Sequence, residues 1–286
     1  MKYFVLGALI LMSVADVRPQ TRPRRLQTAT QLQTGDGVRF AFIGPKEARR
    51  APLVFILGGD RKGTLEGESS NVVGSVLAGQ GFVQASVDIP CHGDDKRPGE
   101  PDGLSGWRSR LEKGERLFAA FNTQVASVLD YLVRQGTVDA ARVGVCGISR
   151  GGFVALHLAA TEPRMRFVVA FAPVTDLLAL REFNGIADPA PARALDVMTL
   201  ADKLVDRPIW ISIGHNDERV GSGHAIDFAL HMMRISVKHK MPMIHFWSGD
   251  DIRLTVTPSE GANGHSSYRG AHEDAATWIL RWSGKQ

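Results

Sequence analysis

The chain has 286 residues, a size that suits one large α/β domain rather than several small ones. With 44% hydrophobic and 22% charged residues it has ample apolar material for a core, which excludes disordered and fibrous proteins. The net charge of +4 is small and no aromatic residues interleave with the basic clusters, so we expect no nucleic-acid partner.

The N-terminus is typical of an export signal. A short basic start precedes an apolar run over residues 3–14, which ends in small residues. We therefore expect residues 1–15 to be a signal peptide, residues 16–25 a basic linker, and the mature protein to be secreted or periplasmic. The apolar run is shorter than the ~20 residues that span a bilayer. An uncleaved anchor and a mis-assigned start codon are the alternatives.

Apolar runs and alternating patterns bounded by Gly and Pro predict eight strands. The first two are separated by residues 34–37, Thr-Gly-Asp-Gly, a spacing that is typical of a β-hairpin. An unbroken apolar run at residues 53–57 is typical of a strand buried on both faces. The predicted strands span residues 26–33, 38–43, 53–57, 82–89, 142–146, 167–171, 209–213 and 252–256.

Helical periodicity fills most of the segments between these strands. In residues 115–134 apolar side chains recur every three or four positions, and Gly136 follows as a stop. Residues 91–114 are instead predicted to be a polar loop rich in Gly and Pro. Further helices are predicted at residues 71–80, 153–160, 224–238 and 271–282, with broken helical pieces over residues 176–206.

Strands that alternate with helices predict an α/β fold, a mostly parallel sheet of eight strands with helices on both faces and an antiparallel opening hairpin. We expect this domain to span residues 26–286, with a small cap-like insertion near residues 181–206. Cys91 and Cys146 fall on strands that a third strand separates, too far apart for a disulfide, so both are expected to be free and buried.

The strongest chemical signal is residues 147–152, Gly-Ile-Ser-Arg-Gly-Gly, which lie between a predicted strand and a predicted helix. This context is the setting of a nucleophile elbow, whose tight turn strains the backbone of the central serine. Side chains at Gly147 and Gly151 would collide with the strand or the helix. Ser149 is therefore the candidate nucleophile, and a Gly-rich helix start capped by Ser149 is the alternative.

The elbow and three further loops resemble those of the α/β-hydrolases, closest in style to the dienelactone-hydrolase-like and prolyl-oligopeptidase-like esterases. Residues 88–94, after the fourth strand, resemble the family's Asp-x-x-x-His-Gly turn. Residues 214–220, after the seventh strand, resemble Gly-x-x-Asp-x-x-Val, and residues 261–266, after the last strand, contain the family's Gly-His. The resemblance covers about residues 26–284 and implies the α/β-hydrolase fold.

The resemblance also implies that Ser149, Asp217 and His265 form a catalytic triad, in the family's order of serine, acid and histidine. The chemistry of the residue types agrees with these roles. An imidazole can remove the serine proton, and a buried carboxylate can orient that imidazole and stabilise its charged form. Asp176, after the sixth strand, is the alternative acid, although it could instead cap the helix that follows.

Other residues have expected roles around this triad. His92 is the best rival of His265, but we favour a role in bracing its own turn, and His215 could line the pocket. The oxyanion needs two N–H donors, and the backbone N–H of Arg150, just after the nucleophile, is the first. The second is expected from the loop after the third strand, where we favour Gly59 over Asp60.

The sequence therefore predicts an enzyme that cleaves small-molecule carboxylic esters through an acyl-enzyme. A small acyl peptidase or amidase, and a non-catalytic binding protein with this fold, are the alternatives. Ser149 replaces the cysteine nucleophile of the dienelactone hydrolases, which argues against their activity. The sequence has no metal-ligand spacing and no phosphate-loop motif, so we expect no metal and no cofactor. Residues 91–114 and 181–206 are expected to shape the pocket.

Overall fold

The computed structural model describes residues 27–240, 251–259, 263–268 and 270–284. The expected signal peptide at residues 1–15 and the basic linker at residues 16–25 lie outside these residues, as do Gly261 and Ala262 of the predicted Gly-His loop. None of the helices in the described segments combines the length and the apolar character needed to cross a lipid bilayer.

One sheet forms the centre of the fold. Its strands are β1 (Thr30–Gln33), β2 (Arg39–Ile43), β3 (Ala51–Leu57), β4 (Val83–Ser86), β5 (Val138–Ile148), β6 (Met165–Phe171), β7 (Ile209–Gly214) and β8 (Ile252–Thr257). They lie in the order β1-β2-β4-β3-β5-β6-β7-β8. The β1–β2 and β2–β4 pairs are antiparallel, and the other neighbours are parallel. The structure thus confirms the eight predicted strands, the opening hairpin and the mostly parallel sheet.

Helices cover both faces of this sheet. They are α1 (Arg61–Glu66), α2 (Val72–Ala78), α3 (Gly103–Glu112), α4 (Ala119–Arg134), α5 (Arg150–Thr161), α6 (Ala190–Arg193), α7 (Ala201–Leu204), α8 (Ser222–Lys240) and α9 (Ala271–Ser283). Between β6 and β7 the chain forms only short helical pieces, as predicted, and several of them pack against α3 and α5.

The buried strand β3 divides the hydrophobic core into two layers because successive side chains of a strand point to opposite faces. All seven of its residues are buried, as the unbroken apolar run predicts. Leu53, Phe55 and Leu57 pack in the layer that includes α4, α5 and α8, whereas Val54 and Ile56 pack in the layer that includes α2 and α9. The sheet is therefore fixed from both sides, which makes its carboxyl edge a rigid platform.

Both cysteines are free and buried, as predicted. Cys91 follows β4 and Cys146 lies in β5, and β3 separates these two strands in the sheet. Burial raises the pKa of the Cys91 thiol to about 12, which keeps it protonated near neutral pH. The two thiols therefore act as small apolar side chains rather than as nucleophiles or ligands.

The prediction that residues 91–114 form a loop is wrong over its second half, which contains α3. Leu104, Trp107 and Leu111 recur at helical spacing and are buried. Charged residues between them conceal this short apolar face, in which Trp107 is the largest side chain. The indole N–H of Trp107 donates to the carbonyl of Pro90 at 2.7 Å, which ties α3 to the end of β4. The short helix α1 was also not predicted.

A buried ion cluster fixes the segment between β4 and α3. Arg110 on α3 donates to the two carboxylate oxygens of Glu100, from Nε at 2.6 Å and from Nη2 at 2.8 Å. It also pairs with Asp95 at 2.7 Å. The hydrogen bond from Arg110 lowers the pKa of Glu100 to about 2, against the opposing effect of burial. The side chains of Arg110 and Glu100 are each only 6% exposed, so water screens their attraction weakly.

We expect Glu100→Gln to destabilise the fold by about 2 kcal/mol near neutral pH, because a charge-assisted hydrogen bond to buried Arg110 is lost. A carboxyl whose pKa is lowered on folding stabilises the protein above its unfolded pKa, and this stabilisation fades as the pH falls towards its folded pKa. The difference between the two proteins should therefore shrink as the pH falls from about 4.5 to about 2.

Urea unfolding of both proteins across this pH range measures the effect. The matched control is Glu112→Gln on the same helix, where the carboxylate forms an exposed pair with Arg108 that is worth about 1 kcal/mol or less. Equal losses for the two variants at neutral pH would contradict the stabilising role of Glu100.

Candidate active site

Ser149 lies in a sharp turn between β5 and α5. Its backbone has φ 55° and ψ −119°, a conformation that L-residues other than glycine rarely adopt. The N–H of Ser149 donates to the carbonyl of Phe171 at the end of β6 at 2.8 Å, and its carbonyl accepts from Val174 at 3.2 Å. These bonds hold the turn against its strain, so the hydroxyl is fixed at the carboxyl edge of the sheet.

The glycines of the elbow allow three segments of backbone to meet. A side chain at Gly147 would overlap the backbone of Gly151, and one at Gly151 would overlap the carbonyl of Leu57 at the end of β3. A Cβ at Gly152 would lie 3.0 Å from the Cβ of Pro173, which is also a tight contact. The collisions that the sequence predicts at Gly147 and Gly151 are therefore confirmed, and they explain how α5 can begin directly above the sheet.

The structure brings the three predicted triad residues together. The Nε2 of His265 lies 3.0 Å from the Oγ of Ser149, and its Nδ1 lies 2.8 Å from the Oδ2 of Asp217. Asp217 follows β7 and His265 follows β8, and these strands are neighbours in the sheet. The two loops are in close contact, since a side chain at Gly214 would overlap the carbonyl of Gly264.

The Asp217 side chain is fully buried, and its charge is satisfied by surrounding donors. Burial raises the pKa of this carboxyl, but the hydrogen bond and charge of His265 and the backbone N–H groups of Arg219 and Val220 outweigh burial and lower it below its usual value. Those N–H groups donate to Oδ1 at 2.9 and 3.2 Å. Asp217 is thus an ionised acceptor that directs the protonated Nδ1 of His265 towards itself and leaves Nε2 free to accept from Ser149.

The predicted alternatives occupy other positions. The Asp176 carboxylate accepts from the N–H of Leu178 at 2.8 Å and caps the short 3-10 helix at Leu177–Ala179, which is the capping role considered from the sequence. The Nδ1 of His92 contacts the carbonyl of Pro90 at 2.9 Å, so His92 braces its own turn. The Nδ1 of His215 accepts from the N–H of Ser259 at 3.0 Å.

The two predicted oxyanion donors differ in their surroundings. The N–H of Arg150 belongs to the first turn of α5, where a helix leaves its N–H groups without intrahelical acceptors. The N–H of Gly59 instead donates to the Oγ1 of Thr64 at 3.1 Å. This donor is engaged within the chain, and the neighbouring Asp60, the alternative considered from the sequence, borders the same cleft.

A cleft of about 670 Å³ opens at Ser149 and His265. Leu104, within residues 91–114, borders this cleft as expected, whereas the sequence did not indicate Thr64, Arg219 and His272, among other residues of the wall. Arg219 lies two positions after the predicted acid, so its place at the site could have been found. Within the described segments, no group of three or more His, Cys, Asp and Glu side chains could hold a metal ion.

Two family models match this chain. The model of the prolyl oligopeptidase family matches residues 120–285, which include Ser149, Asp217 and His265. The acetyl xylan esterase model matches residues 31–182, which include the elbow. Over 64 residues the chain is 47% identical to acylamino-acid-releasing enzyme 2 of Oryza sativa subsp. japonica. That segment is 22% of this chain and only 8% of the rice enzyme, so the chain spans a small part of this relative's length.

Solved structures with similar folds cover most of the chain. A Thermus thermophilus protein aligns with 91% of this chain and 99% of its own, at 19% identity and a TM-score of 0.64. An esterase from Pyrococcus furiosus aligns with 90% of this chain and 93% of its own, at 16% identity and a TM-score of 0.59. Dipeptidyl peptidase 4 of Porphyromonas gingivalis aligns with 89% of this chain and 35% of its own, at 16% identity and a TM-score of 0.59. Together with the sheet order, these similarities show the α/β-hydrolase fold.

We expect Asp217→Asn to slow the labelling of Ser149 by a fluorophosphonate on the order of 10⁴-fold, because the amide favours the wrong tautomer of His265. Asp176→Asn should label at the wild-type rate and lose little stability, since asparagine caps a helix about as well as aspartate. Labelling rates and melting temperatures of both purified variants test the assignment. Normal labelling of Asp217→Asn together with a loss of labelling in Asp176→Asn would show that the catalytic acid is Asp176, in the loop after β6.

Proposed function

We propose that this chain, which belongs to the prolyl oligopeptidase family, is a serine hydrolase that cleaves small carboxylic esters through an acyl-enzyme. The proposal rests on the 3.0 Å contact between the Nε2 of His265 and the Oγ of Ser149, with Asp217 on the opposite side of the imidazole. A serine hydroxyl is a weak nucleophile until such a base accepts its proton.

In the proposed reaction His265 removes the proton of Ser149 as Oγ attacks the ester carbonyl. The negative charge that develops on the carbonyl oxygen is stabilised by the N–H of Arg150, at the positive end of α5, and by an N–H from the Gly59–Asp60 turn. His265 then donates its proton to the departing alcohol. A water molecule, activated by the same imidazole, hydrolyses the acyl-enzyme and restores Ser149.

Gly59 can supply its N–H only by exchanging its hydrogen bond to Thr64 for one to the oxyanion. That exchange would accompany substrate binding, because the hydroxyl of Thr64 borders the same cleft. The N–H of Asp60 is the other candidate from this turn. Either donor belongs to the backbone, so the chemistry of the oxyanion site does not depend on a particular side chain.

Several observations favour esters over peptides. The acetyl xylan esterase model matches residues 31–182, and similar folds include esterases from Pyrococcus furiosus and an Arctic intertidal metagenomic library. The match to the prolyl oligopeptidase family and to the rice enzyme supports the alternative of a small acyl peptidase or amidase. A comparison of 4-nitrophenyl acetate with 4-nitroacetanilide, each relative to its uncatalysed rate, separates the two activities.

We expect Ser149→Ala to lower kcat for 4-nitrophenyl acetate by roughly 10⁴-fold or more, because no other group can form the acyl-enzyme. The melting temperature should change little, since the hydroxyl contributes little to packing. Ser127→Ala, which removes a hydroxyl on α4 that donates to Asp36 outside the cleft, is the matched control and should turn over normally. Wild-type turnover by Ser149→Ala, or failure of the wild-type serine to react with a fluorophosphonate, would refute the hydrolase proposal.

A further inference from the structure

Arg150, directly after the nucleophile, carries a guanidinium that borders the site, and within the described residues only its Nε donates a hydrogen bond. Its Nε donates to the carbonyl of Gly58 at 3.0 Å, which anchors the side chain beside the end of β3. A Cβ at Gly59 would lie 3.6 Å from Nη2, and one at Gly103 would lie 3.5 Å from Nη1. The two Nη groups therefore lie between the turn after β3 and the start of α3.

The charge of Arg150 has no carboxylate partner within the part of the chain that the structure describes. Burial and the positive charge of Arg219 lower the pKa of this guanidinium, and the negative charge of Glu182 opposes them only in part. Three acidic residues border the same region, but each is already engaged. Asp60 accepts from the N–H of Gly63, and Asp102 and Glu182 form ion pairs with Lys96 and Arg219, respectively.

The position of Arg150 links the catalytic cleft to a second cleft. It borders the cleft that contains Ser149 and His265, and also an adjacent cleft of about 350 Å³ that reaches His92 and Lys96. Leu104 and Arg219 are shared by the two clefts as well. A group bound by Arg150 would therefore belong to the same molecule as an ester held at Ser149.

We propose that Arg150 binds a free carboxylate of the substrate, so that this enzyme prefers esters that carry an anionic group close to the scissile bond. The inference rests on the proposed hydrolase function and specifies its substrate class. A partly buried cation without a carboxylate partner among the described residues is costly, and a planar guanidinium whose two Nη groups donate to none of those residues matches the two oxygens of a carboxylate.

The surroundings of Arg150 favour a carboxylate over a doubly charged phosphate. Glu182 lines the second cleft, and its Oε2 is buried without a hydrogen-bond partner among the described residues. Its Oε1 accepts from Arg219 at 2.7 Å, so the charge of Arg219 is largely balanced. Arg150 thus lies beside the carboxylates of Asp60 and Glu182, so the site suits a ligand with a single negative charge and repels a second one.

Two matched pairs of esters test the preference on either side of the scissile bond. Monomethyl glutarate and its neutral amide, methyl glutaramate, differ in the charge of the acyl group. The compounds 4-acetoxybenzoate and 4-acetoxybenzamide differ in the charge of the leaving group. We expect the wild-type enzyme to favour the anionic member of at least one pair by about 10-fold or more in kcat/KM. The pair that shows this preference tells whether the recognised carboxylate belongs to the acyl group or to the leaving group.

The preference should depend on the guanidinium and on salt. In Arg150→Gln the ratio of the two kcat/KM values should fall towards one, and Arg150→Lys should give an intermediate ratio because it retains the charge but not the planar fork. Arg134→Gln removes an exposed arginine on α4 outside both clefts and should keep the wild-type ratio. High salt should reduce the preference of the wild type.

A binding measurement separates the failure of this inference from the failure of the proposed function. Titration of Ser149→Ala with monomethyl glutarate and with methyl glutaramate reports recognition without turnover. If Ser149→Ala binds the anion more tightly than the neutral amide, and the double variant with Ser149→Ala and Arg150→Gln does not, the inference is supported even if the wild type hydrolyses neither ester. Hydrolysis of neutral esters at least as fast as their anionic counterparts in both pairs, with no tighter binding of the anion, would overturn it while the hydrolase function stands.

Discussion

The backbone of Ser149 is held at a positive φ because β3, β5 and the first turn of α5 meet at this point with no room for side chains. Gly147 and Gly151 make that approach possible, and the hydrogen bond from Ser149 to Phe171 ties the turn to β6. The position of the nucleophile is thus set by the packing of the central strands. The other groups of the site must be placed relative to this fixed hydroxyl, because a base displaced by about 1 Å loses most of its effect on the reaction rate.

Several of the charged side chains around this point have a defined partner. Asp217 is fully buried and receives donors from His265 and two backbone N–H groups, which keeps it ionised. Glu100 and Arg110 satisfy one another beneath the clefts, and Glu182 pairs with Arg219. Arg150 differs because its Nη groups contact no acid of the described chain. Removing a charge from water without an opposite charge nearby costs free energy. Such a charge therefore indicates a binding function at a site where a ligand can supply the opposite charge.

Local sequence patterns were sufficient for the features that depend on local physics. All eight strands and the elbow could be predicted, because apolar runs and glycines mark them directly, whereas the meeting of Ser149, Asp217 and His265 was implied by the resemblance to the α/β-hydrolases. Strand ends differ, as β5 begins at Val138 rather than at residue 142, because pairing with neighbours defines them. Helix α3 escaped detection because charged residues surround its short apolar face. The hydrogen bond between Gly59 and Thr64 depends on how the chain turns into α1, which composition does not reveal.

The order of the triad along the chain has a consequence for biosynthesis. Ser149 is set by strands at the middle of the sheet, but its base arrives with the loop after β8, the edge strand that is made last. A nascent chain that has completed the elbow therefore displays an unactivated hydroxyl. Under the proposed mechanism, Ser149 is activated only when β8 is paired with β7 and Gly264 lies against Gly214, because this arrangement places His265 beside it. Under the proposed mechanism, the rate at which Ser149 reacts with a fluorophosphonate therefore reports whether β8 is in place.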